Sequence, residues 1–149
     1  MRALYYPGMS EIRRLAHIER IPIRWGDMDA MGHVNNTVYF RYMEQARISW
    51  FDRLVPEQDA WQSTGIVIAN ATCNYRRAIT YPGTVEVRLY AGAPGGASVP
   101  TFYELRVDAD PMPYADGAAL VVFIDMKTQK SRRIPESIRT RLEHAEAAA

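Results

Sequence analysis

The stretch Trp25-Gly26-Asp27-Met28-Asp29-Ala30-Met31-Gly32-His33-Val34-Asn35-Asn36 runs straight into Thr37-Val38-Tyr39-Phe40-Arg41-Tyr42-Met43-Glu44-Gln45-Ala46-Arg47. Its first half gathers glycine, aspartate and asparagine, which favour turns and helix caps over regular elements, so a loop is expected over residues 26–35. Asn36 is a good N-cap, and from Thr37 to about Leu54 there is no Gly or Pro, which predicts the one long helix of the chain. Apolar residues of that segment, among them Val38, Tyr39, Tyr42, Ile48, Trp50 and Phe51, occupy most of the circumference instead of one stripe. Such a helix is expected to have protein on several sides.

Upstream, Ile18, Ile21 and Ile23 are interleaved with charges from His17 to Trp25, and Pro22 points to an edge or irregular strand. Downstream of a loop from Val55 to Gly65 the period changes to two. Val85, Val87 and Leu89 alternate with Glu86, Arg88 and Tyr90, and Tyr103, Leu105 and Val107 alternate with Glu104, Arg106 and Asp108, as half-buried antiparallel strands do. Ile66 to Ile79 and Ala118 to Met126 are longer β-prone runs, the second apolar on both faces and therefore expected to be central. Pro82-Gly83 and Ala93-Pro94-Gly95-Gly96 are expected as hairpin loops, and a short helix is expected from Pro135 to Glu146. The order is then strand, long helix and four strands in a meander, within a single domain over 1–149 whose residues 1–15 are expected as a disordered tail. The economical way to bury both layers is an α+β hotdog fold, a five-stranded antiparallel sheet wrapped around one long central helix.

With 149 residues and 48% hydrophobic content, the chain suits one domain with a real core and leaves too little for a second. Eighteen basic against seventeen acidic side chains leave a formal charge of +1, so no global field draws it to nucleic acid or an anionic membrane. The single cysteine, Cys73, excludes an intramolecular disulfide framework and suits a reducing compartment. No apolar run approaches the roughly 20 residues needed to span a bilayer, and Met1 to Ser10 lack the pattern of a signal peptide. Cytoplasm is the expected location.

The opening stretch, with Tyr39, Tyr42, Glu44 and Arg47 behind it, resembles the 4-hydroxybenzoyl-CoA thioesterase-like family of hotdog proteins. The family pattern is an aromatic residue, a small residue, Asp-x-Asp, then Gly-x-Val and an aromatic-rich helix; residue types, spacing and context agree here together. The resemblance implies dimers or dimers of dimers, and hydrolysis of an acyl-CoA thioester, or of an acyl carrier protein, without metal or organic cofactor. It also implies Asp29 as the catalytic carboxylate, with the thioester carbonyl polarised by amides near Asn36 and Thr37. Elementary electrostatics agrees, since free N–H groups and the positive dipole end at a helix N-terminus favour the oxygen that becomes negative in acyl transfer. Gly32, His33, Asn35, Asn36 and Thr37 form the expected substrate-binding set. Two roles stay open for Asp29: direct attack through a mixed anhydride, or general base for a water. Ala30 replaces a common proline, and Asn36 stands where benzoyl-specific members carry an aromatic residue, so nothing favours 4-hydroxybenzoyl as the acyl group.

Plainer readings stand beside these. Two aspartates in a glycine-containing loop are, on their own, turn formers, and Asp27 is expected to be structural, holding the loop or a nearby arginine. His33 taken alone is more often a hydrogen-bonded structural histidine. A metal site of Asp27, Asp29 and His33 lacks a further ligand nearby, so no metal is expected. Tyr39, Tyr42, Met43 and Trp50 are expected in the core, with Glu44, Arg41 and Arg47 pairing on the helix surface. A coenzyme A ligand needs positive charge for its phosphates; of the two basic clusters, Arg76 with Arg77 and the one ending in Arg132 and Arg133, the second pair is expected to supply it. The competing functions are a non-catalytic acyl-CoA-binding module and a hotdog dehydratase using His33.

Overall fold

The computed structural model describes residues 13–144. Five antiparallel strands, β1 (Arg14–Pro22), β2 (Thr64–Tyr75), β3 (Thr84–Ala91), β4 (Ser98–Val107) and β5 (Ala115–Asp125), form one sheet, with α1 (Asn36–Leu54) packed on one face and a short α2 (Glu136–His144) at the end of the chain. Of the stretch 1–15 expected as a tail, Arg14 and Leu15 belong to β1; residues 1–12 lie outside the described residues. β1 stops at Pro22, and Trp25–Asp27 form a 3-10 turn in place of the end of a strand. Among the described residues no helix is long and apolar enough to cross a membrane.

The strand order is β1-β3-β4-β5-β2. β3, β4 and β5 form a meander, but β2 pairs with β5 at the far edge and not with β3, which corrects the expected four-strand meander. Pro82-Gly83 therefore belongs to a crossover between non-adjacent strands, whereas residues 93–96 do sit in the β3–β4 hairpin. The alternation in β3 appears as a strictly alternating burial pattern, and β5, apolar on both faces, lies between two neighbours as expected. β2 ends at Tyr75, short of the expected Ile79; Ile79 leaves the sheet and enters the core.

α1 buries Tyr39, Tyr42, Met43, Ala46, Arg47, Trp50 and Phe51, an i, i+3, i+4 stripe against the sheet. Within one chain the fully buried residues of the helix face the sheet, Val38, Phe40 and Leu54 are partly buried against the core, and Ile48 is 45% exposed. Arg47 is not a surface residue: it is buried, donates to Tyr103 Oη at 3.3 Å, and Tyr103 Oη lies 2.7 Å from Thr101 Oγ1. Arg41 and Glu44 do pair on the exposed face at 2.9 Å. Val55 and then Pro56 end the helix.

Candidate active site

The segment between β1 and α1 is a miniature hairpin. Met28 and Val34 form an antiparallel bridge, the Asp29 N–H donates to His33 O at 2.9 Å, and the Gly32 N–H donates back to Asp29 O at 3.0 Å. Closing so tight a turn puts Gly32 at φ +78°, where a side chain is strained. The loop is anchored on both sides: the Val34 N–H donates to Ile79 O at 2.8 Å and the Asn35 N–H to Asp27 O at 2.9 Å.

The aspartates on either side of Met28 belong to different turns, Asp27 closing the 3-10 turn and Asp29 opening the tight turn that ends at Gly32. Asp27 turns inward and is buried, accepting from Tyr42 Oη at 2.8 Å and the Arg24 N–H at 3.0 Å, with the Arg24 guanidinium at 3.2 Å. Burial and the Asp27 carboxylate together raise the Tyr42 phenol well above its ordinary range, which keeps it a donor. Asp29 turns outward and is exposed. Its Oδ1 accepts the Met31 N–H at 2.9 Å, the local turn bond that the plainer reading expects, and its Oδ2 lies 3.5 Å from Asn35 Nδ2.

The cap of α1 is Asn35, one residue earlier than expected, with extended backbone angles of −60° and 140°. Its Oδ1 accepts from the Thr37 N–H at 2.9 Å and from Thr37 Oγ1 at 2.6 Å, and its backbone carbonyl accepts the Val38 N–H at 2.9 Å. The Asn36 N–H is left without a partner among the described residues. Of the two amides expected to act at the helix end, only this one is uncommitted.

Asp29, His33 and Asn36 line an open cleft of about 420 Å³ at this end of α1. Its far wall is the C-terminal end of β2: Tyr75 donates to Asn36 O at 2.8 Å and meets the Tyr39 ring edge-on at 4.8 Å. Burial raises both phenols above their ordinary value, so they remain neutral hydroxyls. The neighbouring Cys73 is pushed up to about 11, chiefly by burial, and stays a thiol at neutral pH. Arg76 and Arg77 complete the rim, Arg76 paired through Nε with Asp116 and Arg77 with Asp110 at 3.0 Å. The Met112 N–H and then Arg77 hold Asp110 below its ordinary value, keeping it ionised.

Gly32, Asn35 and Thr37 thus shape the loop and cap behind the cleft, and are not among the residues that line it. Arg132 and Arg133 are elsewhere in the chain. Arg132 bonds Thr64 Oγ1 at 2.9 Å, at the opposite end of β2 from Tyr75, roughly 35 Å away at the usual rise of a strand. Arg133 pairs with Glu136 at 3.6 Å. The arginines at the cleft are the other basic pair, and Tyr75 beside them carried no signal of its own beyond lying within a β-prone run. Among the described residues no three His, Cys, Asp or Glu side chains come together in a way that could hold a metal ion.

Residues 23–142 match the thioesterase-like superfamily. The chain belongs to that superfamily. Long-chain acyl-CoA thioesterase FadM of Escherichia coli (strain K12) is 26% identical over 127 residues, covering 83% of this chain and 95% of that one. Among solved structures, the PA2801 protein of Pseudomonas aeruginosa is 38% identical with a TM-score of 0.78, covering 85% of this chain and 98% of that one. A thioesterase from Thermus thermophilus, solved with coenzyme A and Zn, is 28% identical with a TM-score of 0.73, covering 85% of this chain and 90% of that one. Superfamily membership bears out the hotdog architecture and the thioesterase class expected from the sequence.

Proposed function

We propose that this thioesterase-like chain hydrolyses acyl-CoA thioesters in the cleft at the start of α1, with Asp29 as the reacting carboxylate. The observation that carries the reading is the meeting, in one open cleft, of an exposed carboxylate and the first residue of a capped helix whose own N–H is uncommitted. As the acyl carbon becomes tetrahedral its oxygen gains negative charge, and the Asn36 N–H with the helix dipole is suited to receive it. Met31 holds Asp29 Oδ1, which leaves Oδ2 for chemistry. Either Oδ2 attacks the acyl carbon, expelling the coenzyme A thiolate and leaving a mixed anhydride that water hydrolyses, or it takes a proton from a water that attacks directly.

Arg76 and Arg77 are the cations within reach of the cleft for the phosphates of coenzyme A; Arg132 and Arg133 would reach it only from a second subunit. Met31, Val34, Tyr39 and Tyr75 give the cleft its apolar lining, and the FadM likeness makes long-chain acyl groups the first to try. The active form in this reading is a homodimer or a dimer of dimers located in the cytoplasm. Thiol release from acetyl, aromatic and long-chain acyl-CoA, with and without excess chelator, tests the proposal. Turnover of at least one class, unchanged by chelation, is expected; no release from any acyl-CoA while coenzyme A still binds would favour a pure binding module.

A further inference from the structure

We propose that Asn35 is a positioning residue, a single amide that sets the Asp29 carboxylate against the N-terminus of α1. The inference rests on Asp29 being the reacting group. Two donors from Thr37, the N–H at 2.9 Å and Oγ1 at 2.6 Å, converge on one side of the Asn35 amide, so that side must be the oxygen. The amide is planar, and the orientation therefore turns Nδ2 toward Asp29, whose Oδ2 is 3.5 Å away. That spacing is at the outer limit of a hydrogen bond, as catalytic contacts often are before substrate tightens them. Capping and positioning are in this way one act: the oxygen that organises the first turn fixes the nitrogen that faces the carboxylate.

The rest of the loop reinforces the geometry. The Asn35 N–H donates to Asp27 O at 2.9 Å, and Asp27 is held in turn by Tyr42 of α1, so the backbone of Asn35 is tied to the core. Asp29 Oδ1 is fixed by the Met31 N–H, leaving rotation about the end of the side chain to be stopped at Oδ2. The charged or titratable side chains facing Asp29 across the cleft are His33 on the same loop, and Arg76, Arg77 and Tyr75 at the end of β2, with Tyr39 from α1. None of these has a hydrogen bond to Asp29 among the described residues.

The test separates capping from positioning. Aspartate and serine are as good as asparagine at an N-cap, so Asn35→Asp and Asn35→Ser should unfold within a few degrees, about 3 °C, of the parent protein. Neither can donate an amide N–H to Asp29, and kcat should fall about tenfold in both with KM within about threefold. Asn35→Asp also sets a like charge beside Asp29, and the acid limb of its kcat/KM profile should move up by about one pH unit, more than that of Asn35→Ser. Folded Asn35→Asp and Asn35→Ser with kcat within twofold of the parent and unmoved profiles would overturn the proposal; should Asn35→Asp not fold, Asn35→Ser decides alone. Asp29→Asn is measured alongside: if it is inactive while the Asn35 variants behave as the parent, only the positioning role fails, and if it keeps full turnover the reading of Asp29 falls and the positioning role with it.

Discussion

Asp27 and Asp29 have opposite surroundings because one closes the 3-10 turn beside Tyr42 and the other opens the tight turn that ends at Gly32. Asp27 is buried with its oxygens bonded to Tyr42 and Arg24, so replacing it with asparagine turns an acceptor oxygen into a donor facing other donors. Asp27→Asn is expected to cost about 1–3 kcal/mol of stability and to leave kcat largely unchanged once the protein is folded. Denaturant unfolding together with steady-state kinetics checks this; an undestabilised variant that has lost turnover would exchange the roles of the two residues. At this scale the sequence was legible where a residue's role is local. Asp27 as a loop anchor holding a nearby arginine follows from turn chemistry. Arg47 was not legible, because its spacing from Arg41 and Glu44 is that of a surface residue, and only its neighbour Tyr103, 56 positions away, draws it inside.

The sheet admits α1 closely at one point. Gly117 of β5 lies under Met43, and a Cβ there would stand 2.5 Å from Met43 Cε and 2.7 Å from the backbone oxygen of Thr72. Met43 can shift but the β2 backbone cannot do so cheaply, so Gly117→Ala is expected to destabilise by about 1–3 kcal/mol. A thermal midpoint equal to that of the parent would contradict this seating of the helix. Individual elements were legible from period and punctuation: the alternation of β3 and β4, the absence of Gly and Pro in α1, and Pro22 at an edge. Their neighbours were not. Alternation tells which face a residue occupies, not which strand lies beside it, and so the crossing of β2 to the far edge stayed hidden. That crossing is also what brings Tyr75, Arg76 and Arg77 to the helix N-terminus, so the basic pair at the cleft of this chain is not the one singled out from sequence alone.

At the scale of the whole molecule, β2 is a long edge strand with Val67 43% and Ile68 38% exposed, and the outer side of α1 leaves Ile48 uncovered. Unpaired strand N–H and C=O groups beside apolar side chains invite another copy of the chain, and two or four chains are expected in solution. Light scattering at micromolar concentration should give the mass of two or four chains; a compact, fully active monomer would contradict it. The proposed chemistry depends most on Asp29 acting in the reaction and not merely in its turn. The direct measurement is thiol release by Asp29→Asn beside its affinity for a coenzyme A ligand. The amide can still accept the Met31 N–H but can neither attack nor take a proton, so normal binding with kcat reduced by about a thousandfold is predicted. Turnover within a few-fold of the parent would contradict the central claim.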